Sequence, residues 1–159
     1  MVENHPTKSE TFIVFELADT TYAIPSQLVQ QMEMVEGITP VPNAETDVEG
    51  VIFSRGQVIP VLNLRVRLGL EKIPYSLRTR LIVVNVNRRT IGLIVDTARE
   101  FLAIPSDTIQ PPPEGITGSR GKCLSGIATR ESRVILILDV AELLAPTEAS
   151  NPVKKETGH

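Results

Sequence analysis

The chain carries the same strand-rich pattern twice. Gly50–Leu64 reads GVIFSRGQVIPVLNL, and Gly126–Val140, seventy-six residues later, reads GIATRESRVILILDV. A second pair lies upstream of these copies: FIVFELADTTYAI at Phe12–Ile24 and LIVVNVNRRTIGL at Leu81–Leu93. A duplicated set of strands predicts two similar small cores that meet at a seam, and such a seam is a natural place to bind a partner.

Length and composition fit this architecture. The 159 residues suit one domain of ordinary size or two small halves, and 42% of them are apolar. Aromatic residues make up only 4%, so we expect an aliphatic core, and the Val and Ile of the periodic stretches favour strands. No apolar run approaches the ~20 residues that cross a bilayer, and the N-terminus lacks a signal-peptide pattern. Membrane insertion is therefore not expected.

Residues suited to enzyme chemistry are scarce. The two histidines, His5 and His159, lie in polar segments, residues 1–10 and 146–159, that we expect to be flexible tails. No Gly-rich phosphate loop opens a helix. The single cysteine, Cys123, predicts a reduced structural thiol in a cytosolic protein. We therefore predict that the chain is not an enzyme and that it binds no metal or cofactor.

Charge is unevenly distributed. The stretch Arg65–Arg89 holds seven Lys and Arg residues against one acid, Glu71. It is either a solvated loop with basic strand ends or a basic patch that steers an acidic protein partner. A small-barrel nucleic-acid binder is a competing interpretation, but it needs stacking aromatics, and Tyr75 is the only one in the stretch. Asp96 and Asp139, which each follow a predicted strand, are expected to cap turns or pair with arginines.

Two predicted strands look buried on both faces. Val134–Leu138 is apolar at every position, whereas a strand with one wet face should alternate. Val58–Leu62 behaves similarly, although Pro60 cannot donate a ladder hydrogen bond and so predicts an edge or a bulge. Each strand is expected to face its own barrel on one side and the opposite half on the other. The predicted seam residues are Val58, Ile59, Val61, Leu62, Val134, Leu136 and Leu138.

Several segments, in their order and spacing, carry a family resemblance. They are TYAIP at 21–25, LVQQM at 28–32, ITPVP at 38–42, GVIFSRGQVIPVLNLRVRLGL at 50–70, IGLIVDTAREFL at 91–102, IQPPP at 109–113 and VILILDVAELL at 134–144. Together they resemble the CheW-type chemotaxis coupling proteins and the matching regulatory domain of their histidine kinases.

The resemblance implies an all-β fold for residues 11–145. It implies a single domain of two five-stranded barrels with Src-homology-3-like topology, packed around a shared hydrophobic seam. The pseudo-repeated barrels would span about 18–78 and about 79–139, with some strand exchange between them. Short helical segments and a short C-terminal helix would complete the domain.

The resemblance also implies a function without catalysis. Such proteins are cytoplasmic adapters that link the cytoplasmic tips of transmembrane chemoreceptors to the regulatory domain of a histidine autokinase, within receptor arrays at the inner face of the membrane. We expect the chain to be a monomer when alone, with no nucleic-acid partner. A related adapter of a pilus or gliding pathway is the alternative within the family.

Receptor-binding residues are transferred position by position. The Arg-Gly that the family associates with receptor binding corresponds to Arg55 and Gly56, although a turn arginine satisfied by local carbonyls is the alternative. Val29 and Met32 match apolar groove positions, or else belong to an ordinary core. The predicted receptor-binding residues are Val29, Gln31, Met32, Ile52, Arg55 and Gly56.

Two departures from the family pattern fall on this predicted receptor side. Gln31 stands where the family usually carries Glu, and Phe53-Ser54 stands where Asn-Leu is common. These departures bear on which receptor is recognised and leave the fold prediction unaffected.

Overall fold

Ten strands and two short α-helices make up the part of the chain that the computed structural model describes, residues 8–115 and 123–145. Single turns of 3-10 helix at Ser26–Leu28 and Ser106–Thr108 follow Pro25 and Pro105. The strands are β1 (Ser9–Leu17), β2 (Thr20–Pro25), β3 (Val29–Met34), β4 (Val48–Ser54), β5 (Gln57–Asn63), β6 (Arg80–Val86), β7 (Arg89–Val95), β8 (Thr97–Pro105), β9 (Leu124–Arg130) and β10 (Arg133–Leu138). The helices are α1 (Leu64–Arg67) and α2 (Val140–Leu143).

The strands form two five-stranded sheets, which confirms the predicted fold class. Barrel I has the strand order β3-β6-β7-β5-β4, and barrel II has the order β8-β1-β2-β10-β9. Side chains bridge the outer strands of each sheet. In barrel I, Gln31 Nε2 donates to Ser54 Oγ at 3.4 Å. In barrel II, Arg130 Nη1 makes a long hydrogen bond of 3.5 Å to the Ala103 carbonyl.

The sheets do not divide the chain at residue 78, as the predicted units 18–78 and 79–139 would. Barrel I is continuous from β3 to β7, whereas the first hairpin, β1–β2, joins the second half of the chain. This exchange arises because β2 pairs in parallel with β10, and β1 pairs antiparallel with β8. Strand β1 begins at Ser9, inside the predicted N-terminal tail; residues 1–7 and 146–159 lie outside the described part.

Four hairpins close with two-residue turns whose central residues all have positive φ. This geometry is that of type I′ turns, whose twist matches the twist of the flanking strands. The turns are Ala18-Asp19, Arg55-Gly56, Asn87-Arg88 and Glu131-Ser132. The turn between β4 and β5, with φ of 51° at Arg55 and 82° at Gly56, therefore projects an arginine from a rigid hairpin tip.

The repeated glycines mark a close crossing that occurs in both barrels. Thr39 forms an isolated bridge to Val51, and Gln110 forms the equivalent bridge to Ile127. Each bridge lies one residue after a repeated glycine. At Gly50, where φ is 144°, a Cβ would lie 2.1 Å from the Thr39 carbonyl oxygen. A side chain at this position would therefore displace the crossing segment.

The polar position of the repeat caps a helix in each copy. Asn63 Oδ1 accepts a hydrogen bond from the Val66 N–H at 3.4 Å, and Asp139 Oδ1 accepts one from the Glu142 N–H at 3.1 Å. Asn and Asp are both favoured at the N-cap because their side-chain oxygens satisfy free N–H groups. The swap between Asn63 and Asp139 therefore preserves the start of α1 and of α2.

Three apolar clusters form the core, two inside the barrels and one between them. Barrel I encloses Ile52, Ile59, Val61, Leu81, Val83 and Ile94. Barrel II encloses Phe12, Val14, Ala23, Ile104, Ala128, Ile135 and Ile137. The seam between the barrels contains Ile13, Phe15, Leu17, Ile24, Leu64, Ile82, Val84, Ile91, Leu93, Val95, Leu138, Val140, Leu143 and Leu144.

Some strands are buried on both faces, but they are mainly strands other than β5 and β10, for which such burial was predicted. Along β1, Ile13 and Phe15 face the seam while Val14 faces the interior of barrel II. Along β6, Ile82 faces the seam and Leu81 faces the interior of barrel I. The uninterrupted apolar runs of these strands reflect two covered faces.

The predicted seam assignments therefore need correction. Leu138 lies in the seam and Leu62 packs against it, but Ile59 and Val61 belong to the interior of barrel I. Leu136 is half-buried.

Val58 and Val134 are 62% and 53% exposed, so their placement in the seam is wrong. The reason is that β5 and β10 join their parallel neighbours only from Val61 and Ile135 onward. The earlier residues of both strands extend into hairpins beyond the seam.

Candidate protein-docking site

The turn between β4 and β5 presents Arg55 to solvent. Its neighbour Gly56 is exposed as well. Within the described part of the chain, no hydrogen bond or ion pair engages the Arg55 side chain. The alternative of a turn arginine satisfied by local carbonyls is therefore not observed. A guanidinium with five free donors is suited to binding carboxylates or carbonyls of a partner.

The two departures from the family pattern lie next to each other. Gln31 on β3 donates from Nε2 to Ser54 Oγ at 3.4 Å, and also hydrogen-bonds the carboxylate of Glu33. Gln31 is half-buried, so it is held in a polar contact across the open side of barrel I. Sequence comparison alone could not show that positions 31 and 54 touch, because they lie on strands separated by a long connection.

The apolar members of the predicted groove separate into two groups. Val29 is half-buried and packs against the seam, and Met32 is exposed on β3. Ile52 is only 7% exposed and points into the interior of barrel I, so its assignment to a surface groove is wrong. Its neighbour Phe53 points outward instead, because successive side chains of a strand face opposite sides.

Phe53 contributes a large apolar surface that the sequence prediction did not include. It is 76% exposed and pairs directly across the hairpin with Val58. We call Phe53, Arg55, Gly56 and Val58 the hairpin surface. Exposed aromatic side chains beside an arginine are typical of the anchors of protein interfaces. A usable sequence signal was the run Val51-Ile52-Phe53, whose three apolar residues cannot all face inward.

Several basic residues of the stretch are engaged within the fold. Arg67 pairs with Asp47 at 3.0 Å. It also donates to the carbonyls of Leu143, the last residue of α2, and of Ala145, which follows α2. Lys72 pairs with Glu49 at 3.0 Å. Arg65 is likewise paired, and Arg80 donates to nearby carbonyls. These contacts favour a structural role for much of the stretch over a continuous basic docking patch.

Tyr75 is also engaged within the chain. Burial, and then its hydrogen bond to Glu49, raise the pKa of the Tyr75 hydroxyl. Burial alone would raise the pKa of Glu49, but hydrogen bonds from Lys72, Tyr75 and Asn63 outweigh it and lower that pKa. The one aromatic of the basic stretch is thus tied to a carboxylate, which weakens the nucleic-acid interpretation.

Asp96 joins three segments at the boundary between the barrels. Its carboxylate accepts hydrogen bonds from Arg65 Nε at 2.8 Å and Nη2 at 2.7 Å. It also accepts one from the backbone N–H of Ala18 at 2.9 Å. Burial would raise the pKa of Asp96, but these two donors outweigh it and lower the pKa below its ordinary value. Both roles expected of a lone aspartate, arginine pairing and turn binding, are present.

Metal-binding and membrane-spanning features were sought in residues 8–115 and 123–145. No group of three His, Cys, Asp or Glu side chains there is arranged to hold a metal ion. No helix in this part of the chain has the length and apolar character needed to cross a bilayer. His5 and His159 lie outside the described residues.

The geometry is that of a paired-barrel protein with an exposed hairpin that carries an arginine and a phenylalanine. Comparison with known families makes this specific: residues 11–148 match the CheW-like domain. The chain belongs to the CheW-like family.

Individual relatives agree with this assignment over most of their length. Chemotaxis protein CheW of Klebsiella aerogenes is 28% identical over 142 residues, covering 89% of this chain and 86% of the relative. Chemotaxis protein CheW of Bacillus subtilis is 31% identical over 144 residues, covering 91% and 92%. The crystal structure of the scaffolding protein TtCheW from Thermoanaerobacter tengcongensis has a TM-score of 0.81 at 30% identity, covering 88% and 95% of the two chains. These similarities favour chemotaxis coupling over the nucleic-acid and non-flagellar alternatives.

Proposed function

We propose that this chain is a non-catalytic adapter that couples chemoreceptors to a histidine autokinase. Its membership of the CheW-like family is the observation that carries the proposal. One partner is the cytoplasmic tip of a transmembrane chemoreceptor, and the other is the regulatory domain of the kinase. The chain acts in the cytoplasm, where the receptor tips recruit it to arrays at the inner face of the membrane.

The receptor contact uses the region where β3 meets the β4–β5 hairpin. A helix of the receptor tip lays its apolar stripe against Val29 and Met32, the helix-in-groove mode of recognition. Arg55 reaches carboxylates or carbonyls on that helix from the rim, and Gly56 lets the turn project it. The absence of any hydrogen bond or ion pair to the Arg55 side chain in the described residues supports this role, since no internal bond must break.

The kinase contact uses the paired-barrel architecture that the kinase's regulatory domain shares. An adapter changes kinase output only if it binds one kinase arrangement more tightly than another, because equal affinity for both shifts no population. The adapter therefore transmits receptor state through differential binding and requires no bond-making chemistry.

Direct titration tests the proposal. The purified chain is titrated calorimetrically with the receptor's cytoplasmic hairpin fragment and, separately, with the kinase's regulatory domain. We expect saturable binding to each, while an unrelated helical hairpin of similar charge gives no signal. If the chain failed to bind one or both of these partners, the result would contradict the proposed function.

A further inference from the structure

The chain passes between the barrels at two places within the described residues. The first is the 3-10 turn Ser26–Leu28, between β2 of barrel II and β3 of barrel I. The second is a single residue, Asp96, between β7 of barrel I and β8 of barrel II. Because this second connection is a single residue, Asp96 by itself links barrel I to barrel II there.

Both barrels hold the carboxylate of this connecting residue. Arg65, on α1 directly after β5 of barrel I, donates two hydrogen bonds of 2.8 and 2.7 Å to the Asp96 carboxylate. The Ala18 N–H, in the β1–β2 turn of barrel II, holds it at 2.9 Å. Arg65 is itself anchored, because its Nη1 donates to the Glu71 carbonyl at 3.0 Å. The four groups thus form one connected node across the barrel boundary.

This hydrogen-bonded node adds a directional restraint on the barrels to that of the apolar seam. Burial of aliphatic side chains is favourable but non-directional, so it specifies the angle between the barrels less sharply than directed hydrogen bonds do. A bidentate arginine–carboxylate pair fixes both distance and plane. The pair is largely shielded, with side-chain exposures of 14% for Arg65 and 22% for Asp96, so solvent ions screen it less than an open surface pair.

We propose that Arg65, Asp96 and the Ala18 N–H form a lock that fixes the relative orientation of the two barrels. Arg65 and Asp96 are positioning residues that act through the barrels they connect. Val29 of β3 and Ala98 of β8 both pack against the seam, and each follows one of the two crossings. A change in the angle between the barrels therefore moves these two strands relative to each other; its use in receptor binding rests on the proposed function.

A distance measurement between the barrels tests the lock without any partner. Spin labels are placed through Val58→Cys in barrel I and Val134→Cys in barrel II, both exposed, in a Cys123→Ala background. Pulsed electron resonance should give one narrow distance distribution for the otherwise unchanged protein. Asp96→Asn removes the charge and keeps the shape, so we expect the distribution to broaden or shift. Glu16→Gln, which breaks the Arg99–Glu16 pair inside barrel II, should leave the distribution unchanged.

A second variant keeps the test decisive if Asp96→Asn does not fold. Arg65→Lys retains the charge but loses the two-bond geometry, and it should also broaden the distribution. A distribution with the same mean distance and width as that of the parent, in a folded variant of either residue, would overturn the lock. A broadened distribution together with unchanged affinity for the receptor fragment would support the lock and contradict its use in receptor binding. That result is distinct from failure of the proposed function, in which the chain does not bind the receptor fragment at all.

Discussion

Replacing Phe15 by alanine should lower the free energy of unfolding by about 3–5 kcal/mol, the range for removal of a buried aromatic ring. Phe15 is fully buried in the seam, and its ring stacks on Tyr22 with centroids 5.8 Å apart. The change removes packing from both barrels at once, because the seam draws residues from both. Urea denaturation followed by circular dichroism measures the loss.

Phe53→Ala is the matched control for this substitution. The same ring is removed, but from a side chain that is 76% exposed, so we expect a change within about 0.5 kcal/mol. Similar losses for the two variants would mean that burial in a shared seam does not dominate the stability of the fold.

Reversing the charge of Arg55 should weaken binding of the receptor tip by about 2 kcal/mol or more, the loss typical of an arginine that is a binding hot spot. The reason is that glutamate cannot donate to the carboxylates and carbonyls the guanidinium reaches, and it repels the former. Arg55 makes no hydrogen bond or ion pair within the described residues, so Arg55→Glu should leave the denaturation midpoint nearly unchanged. Calorimetric titration with the receptor fragment measures the effect.

Two further variants sharpen this prediction. Arg78→Glu makes the same charge change at an exposed arginine before β6 that is not part of the hairpin surface, and should reduce affinity only slightly. Arg55→Lys keeps the charge and loses the planar fork, so it should fall between the parent and Arg55→Glu. Equal weakening by Arg78→Glu and Arg55→Glu would show that net charge, and not the position of Arg55, controls binding.

The repeat predicts two similar strand sets but cannot assign each hairpin to a barrel. The segments Phe12–Ile24 and Leu81–Leu93 share one apolar pattern, so exchanging them leaves every local signal intact. The pairing of β2 with β10 and of β1 with β8 decides that the N-terminal hairpin completes barrel II. Such long-range pairing leaves no trace in local periodicity.

Apolar runs also conceal which side chains face outward. Ile52 and Phe53 are adjacent apolar residues, yet Ile52 packs in the interior of barrel I and Phe53 is exposed to solvent. The runs containing Val58 and Val134 predict burial on both faces, but both valines are exposed and precede the residues that pair with the parallel neighbouring strand. By contrast, the Arg55-Gly56 turn was predictable, because a glycine beside a polar residue between two apolar runs is a strong hairpin signal.

Co-sedimentation of kinase with receptor tests the adapter account most directly. Receptor cytoplasmic fragments anchored to vesicles are mixed with the purified kinase, with and without this chain, and the pelleted kinase is measured. The account predicts that the kinase pellets with the receptor vesicles when the chain is present and stays largely in the supernatant when it is absent. A pelleted fraction of kinase that does not depend on the chain would contradict the account.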